Sequence, residues 1–111
     1  MTTYYIFMMK YQEKTLRKSM NVVIKDVIKS PIAAFHSEGL QIYEVLQKAL
    51  QQDQKIIISF AGIDHCATQF LNSSIGKLYL HFDTKKIDSL ISFDFGKLTN
   101  LKHKIDEVKE N

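Results

Sequence analysis

Residues 55–82, KIIISFAGIDHCATQFLNSSIGKLYLHF, constrain the fold more than any other stretch of the chain. A β-branched apolar run, Ile56-Ile57-Ile58-Ser59-Phe60, leads at once into a polar turn and then into apolar residues at helical spacing. Nearly continuous apolarity predicts a central strand covered on both faces, with helix on either side and with Ile57 and Ile58 as equal members of the core. Gly62 breaks the run, residues 63–67 turn the chain, and Thr68 is placed to cap a helix whose apolar positions recur at Leu71, Ile75, Leu78 and Phe82. The turn then lies at the carboxyl end of a central strand, where open α/β sheets meet their ligands and partners.

The chain's 111 residues suffice for one domain, and an apolar share of 45% is an ordinary supply for one core. Cys66 is the sole cysteine, which excludes an intramolecular disulfide and points to a reducing compartment; a cytoplasmic location is the expectation. The net charge is +3, with Lys and Arg mixed among Asp and Glu, so the basic balance reads as a solvated surface more than a nucleic-acid footprint. Residues 4–9 are apolar but too few to span a bilayer, and they lack the basic leader and cleavage site of a signal peptide. No membrane association is expected.

Residues 1–19 are polar and basic without a sustained period, and read as an N-terminal extension or edge strand ahead of a domain at 20–111. A chain beginning at Met20 is expected to stay folded. Residues 21–28 carry Val22, Val23, Ile24, Val27 and Ile28 and read as the first core strand, ended by Ser30-Pro31. Ser37 is then a good N-cap, and Glu38 suits the positive end of the helix dipole. In this helix Leu40, Tyr43, Leu46 and Leu50, with Ile42 and Ala49, oppose Gln41, Glu44, Lys48 and Gln51. Residues 87–95 read as a strand with one wetter face, Ile91, Phe93 and Phe95 alternating with Ser92 and Asp94. Gly96 precedes a last helix with Leu98, Leu101, Ile105 and Val108 at helical spacing. Strand and helix alternate three times, which predicts an α/β fold with a small, mainly parallel sheet and helices packed on it. The leading segment would supply an antiparallel edge. Gly76 would let the second helix approach the sheet, and Gly39, which costs about 1 kcal/mol inside a helix, implies close approach to a neighbouring loop.

Chemistry-bearing residues do not converge in the sequence. Asp64, His65 and Cys66 are adjacent, and adjacent residues seldom meet on one ion; with no CxxC or HxxxH pair, neither metal nor cofactor is expected. A catalytic Cys66 would need a base nearby, whereas His36, His81 and His103 fall in three separate segments, so no enzyme is read here. The four glycines are scattered and form no phosphate loop. Asn72-Ser73-Ser74 matches a glycosylation acceptor but falls inside a predicted helix, and Ser74 shares the face of Leu71 and Leu78 as a small packing residue.

Three linked segments, FHSEGLQIY at 35–43, IIISFAGID at 56–64 and ATQFLNSSIGKLY at 67–79, together resemble the STAS-like domains of unknown function of bacteria and phages. The resemblance runs over about residues 20–110, the scale of one small domain. These domains are similar to the anti-sigma-factor antagonists of the STAS superfamily. The family's strand, Gly, apolar residue and Thr-Ser-Ser-Phe-like helix start fall on Gly62, Ile63 and Ala67-Thr68-Gln69-Phe70. The resemblance implies a bacterial, non-enzymatic regulatory module that docks a protein partner, such as a histidine-kinase-like ATPase. The docking residues would be Asp64, His65, Thr68, Gln69, Asn72 and Ser73. In the antagonists a serine at this helix start is phosphorylated and the added charge turns binding off. Gln69 occupies that position and cannot accept a phosphoryl group, which leaves Thr68 as the candidate phosphoacceptor, a role it would share with capping the helix. The alternative is a nucleic-acid-associated accessory protein that uses Lys10, Lys14, Arg17 and Lys18 as a phosphate-binding arm.

Overall fold

Strand β3, Ile56–Ser59, lies in the middle of a three-stranded sheet between β1, Met20–Val23, and β5, Ile91–Asp94, and both pairings are parallel. The computed structural model describes residues 19–110, so the expectations for residues 1–18, including the edge strand and the basic arm, lie outside the described residues. In register, Met20, Ile56 and Ile91 form one row, and Val22, Ile58 and Phe93 another. Parallel neighbours need crossovers, and the chain supplies helix α2, His36–Gln51, between β1 and β3 and helix α3, residues 68–81, between β3 and β5. The α/β reading of the sequence, with a parallel sheet and helices packed on it, is the architecture adopted.

Burial on β3 is uneven: Ser59, on the side of Ile57, is buried, but Ile57 is less so than its neighbours. Ile56 and Ile58 are fully buried and join a cluster with Ile42, Leu46 and Leu50 of α2 and Leu71, Ile75 and Leu78 of α3. Ile57 is only half-buried, and its row neighbours Asn21 and Ser92 are exposed. Among the described residues the two faces are therefore covered unequally, and not alike as expected. The run of isoleucines hid the alternation, which shows in the neighbouring strands.

The remaining boundaries shift where short apolar runs fit two periods. The run 21–28 is not one strand: β1 stops at Val23, and Ile24–Ile28 winds into a short helix, α1, closed by Lys29 in the left-handed region at φ 61°. Ile24 and Ile28 are buried four residues apart, a helical spacing within a β-rich composition. Likewise Ile87 belongs to helix α4, Thr84–Leu90, and only Ile91–Asp94 is extended. Helix α2 starts at His36 with Phe35 as its N-cap residue, not Ser37. Glu38 acts as foreseen at the positive end, its carboxylate accepting the amides of Phe35 at 3.1 Å and Ala34 at 3.3 Å.

Helix α3 is continuous but not uniform: Thr68–Leu71 and Lys77–His81 are α-helical, and Asn72–Gly76 between them is a π turn. Such a turn disturbs the regular ladder. Here the Phe70 carbonyl oxygen accepts the hydroxyls of Ser73 at 3.1 Å and Ser74 at 2.8 Å. Ser74 is fully buried, the packing role read from the sequence. The same turn lies against two neighbouring helices. A Cβ on Gly39 would fall on the Ser73 hydroxyl and 2.5 Å from the Phe70 carbonyl oxygen, so the neighbour that Gly39 admits is α3 and not a loop. A Cβ on Gly76 would lie 2.6 Å from Val108 Cγ1 of helix α5, Leu101–Glu110; the partner admitted there is α5 and not the sheet. Among the described residues no helix is long and apolar enough to cross a membrane.

Candidate functional site

Two parallel two-residue strands, β2 at Ile32–Ala33 and β4 at His65–Cys66, join the segments that lead into α2 and α3. The ladder extends on both sides, Asp64 donating its amide to the Pro31 carbonyl at 2.7 Å and Ala67 donating to Ala33 at 2.8 Å. Helices α2 and α3 consequently start side by side. Gln69 closes the corner, its side-chain amide donating to the Ala34 carbonyl at 2.5 Å. The stretch 63–67, read from sequence as a plain turn, is thus half ladder, anchored by Ile63 and Cys66 in the core. Gly62 enters it at φ 78°, a backbone setting that disfavours a side chain.

The sequence-derived candidates divide. Asp64, His65, Thr68, Gln69 and Asn72 are exposed at or just beyond this corner. Asp64 pairs with Lys97, whose hydrogen bond and charge hold its carboxyl below the usual range. Thr68 is the first helical residue, with Ala67 as the N-cap residue, and its hydroxyl makes no hydrogen bond among the described residues; the capping role is not taken up. Ser73 does not belong to this surface: it is 4% exposed and packs against Gly39. At the ordinary α period Ser73 would face away from Leu71 and Leu78, and the π turn brings it inward.

Sequence reasoning missed the apolar part of the corner. Phe35 is 63% exposed and Ile32 is 48% exposed, two of three large apolar side chains so exposed among the described residues. Ile32 pairs in register with His65, and Phe35 follows the Ala34 carbonyl that holds Gln69. The third, Leu80, lies near the far end of α3.

Cys66 is buried, and burial pushes its thiol up to about 12, only partly opposed by the Lys104 charge. A thiol moved from 9.0 to about 12 carries roughly a thousandfold less thiolate at neutral pH, and thiolate is the reactive form. Iodoacetamide is therefore expected to label the folded protein far more slowly than the urea-unfolded chain. Equal rates, followed by mass spectrometry, would contradict the buried placement. Among the described residues no three His, Cys, Asp or Glu side chains come together so as to hold a metal ion.

The described residues thus form an α/β domain in which two helix starts lie side by side next to an exposed apolar pair. The chain belongs to the family of STAS-like domains of unknown function (DUF4325), whose model matches residues 38–94, from the first turn of α2 to the end of β5. No curated protein and no solved structure gives a match.

Proposed function

We propose that the protein is a bacterial regulatory module without enzymatic activity, which docks a protein partner through the corner formed by β2, β4 and the first turn of α3. STAS-like domains are generally non-enzymatic. The observation that carries the reading is the exposed pair Phe35 and Ile32 beside Thr68, Gln69 and His65. Large apolar groups rimmed by polar ones mark interaction surfaces, and aromatic residues supply much of the binding energy there. A partner of the histidine-kinase-like ATPase class fits the family resemblance, and Thr68 remains the candidate phosphoacceptor. A phosphate on the first helical residue would meet the positive end of α3, so modification would change the surface without opposing the helix.

A photo-crosslinking residue in place of Thr68, used in the source cells, identifies the partner; titration calorimetry with the purified partner then tests the surface. Phe35→Ala is expected to leave stability within about 0.5 kcal/mol while weakening binding by about tenfold or more. Thr68→Asp should also weaken binding without loss of fold. Gln69→Glu is a harsher probe, because it removes the donor to the Ala34 carbonyl and sets a carboxylate against that oxygen. Undiminished affinity in both Phe35→Ala and Thr68→Asp would show that docking occurs elsewhere.

A further inference from the structure

Strand β1 begins at Met20, and Met20 also lines a groove of about 350 Å³ against the second half of α2. Half-buried Met20 and Val45 and buried Ala49 make its apolar floor, while Glu44, Lys48 and Gln52 stand exposed around it. The groove lies toward the carboxyl end of α2, whereas the docking corner lies at its start, and the two share no residue. The eighteen residues that precede the described ones join the domain at this groove. They divide in two. Residues 4–9, Tyr-Tyr-Ile-Phe-Met-Met, are large and uncharged without interruption, and residues 10–18 carry Lys10, Lys14, Arg17 and Lys18 against Glu13 alone. This second part holds the chain's whole formal charge of +3 and belongs in water. The first part, left in water, would invite association with other chains.

We infer that the groove is the seat of residues 4–9 of the same chain. Residues 10–19, between the run and Met20, reach at most about 35 Å when extended, and the groove starts at the residue where they attach, so the tether can fold back on it. A short tether gives the run an effective concentration on the order of millimolar, so even modest burial holds it there. At about 30 Å³ for each water-sized group, the groove has room for roughly a dozen non-hydrogen atoms, the side chains of about two of the six residues. Emptying it uncovers Met20, Val45 and Ala49 but breaks no pairing of the β1–β3–β5 sheet, in keeping with a chain that starts at Met20 and stays folded. The seat does not depend on the docking corner or on any protein partner.

The test is nuclear Overhauser spectroscopy on the full chain, labelled with ¹³C and ¹⁵N. Cross-peaks are expected from the ring protons of Tyr4, Tyr5 or Phe7 to the methyl groups of Met20, Val45 and Ala49. Val45→Asp, which puts a charge on the groove floor, should abolish them. The double change Ile6→Ser with Phe7→Ser should abolish those of the run as well, and it keeps the test open if Val45→Asp fails to fold. Cross-peaks to Val23 and Ile57 instead would place the run on the other face of the sheet and overturn the groove as its seat. In a mixture of labelled and unlabelled chains, isotope-filtered spectra should show no cross-peak between copies; cross-peaks found only between copies would assign the groove to a neighbour's segment and overturn the seat within one chain. Absence of any cross-peak to the groove, or cross-peaks undiminished in both variants, would also overturn it.

Discussion

Ile58→Ala is expected to lower the free energy of unfolding by about 2–5 kcal/mol, whereas Ile57→Ala should cost only about 1 kcal/mol. The two residues are adjacent and chemically identical, so the difference isolates position. Ile58 is fully buried against the helices, and truncation there removes apolar surface and leaves a cavity that the parallel row of Val22 and Phe93 cannot close. Ile57 sits in the row of Asn21 and Ser92, where water and neighbouring side chains can fill the space. Urea denaturation gives both values, and an unchanged dependence on urea would show that the denatured state is not responsible. Equal losses at the two positions would mean that the outer face of the sheet is covered as fully as the inner one.

Gly39→Ala should destabilise the fold by about 1–3 kcal/mol, opposite in sign to the effect of helix propensity. Inside a helix, alanine is favoured over glycine by about 1 kcal/mol, so a site with free space would gain stability. Here the new methyl would meet the Ser73 hydroxyl, which can rotate or be removed, and the Phe70 carbonyl oxygen, which belongs to the backbone of α3 and can yield only if the helices separate. The double change Gly39→Ala with Ser73→Ala should therefore recover part of the loss but not all of it. A stabilised Gly39→Ala protein would show that α2 and α3 lie farther apart than described.

The parts of this fold that are legible in the sequence are those with enough length to display a period. Helix α2 and the apolar positions of α3 and α5 belong to this group, because each repeats its apolar spacing within a bounded run, whereas β3 is legible only as a short continuous apolar run. Strands β2 and β4 are not legible, since two residues cannot display alternation and their pairing joins segments far apart in the chain. Helix α1 shows the opposite difficulty, with β-branched residues that satisfy both periods until Lys29 ends the turn. For the candidate site, the polar residues at 64–69 can be located from the Gly62 break and the helix start. Phe35 cannot, because an apolar residue ahead of a helix gives no sign of whether it points inward or outward. Ser73 is misjudged for a related reason, since the sequence carries no mark of a π turn beyond its small residues.

The π turn also sets which way the exposed groups of α3 face. A helix with such a turn holds one residue more than the α period, and that residue rotates everything beyond it by roughly 100° about the axis. Gln69 and Leu80 are eleven positions apart, a count that would stack them on one line in a regular helix. Across Asn72–Gly76 they fall out of phase, so a straight rod laid along α3 would lose one as it engaged the other. The exposed groups at the two ends of this helix therefore face different directions, and the apolar residues beside its first turn are Phe35 and Ile32 of the neighbouring segment.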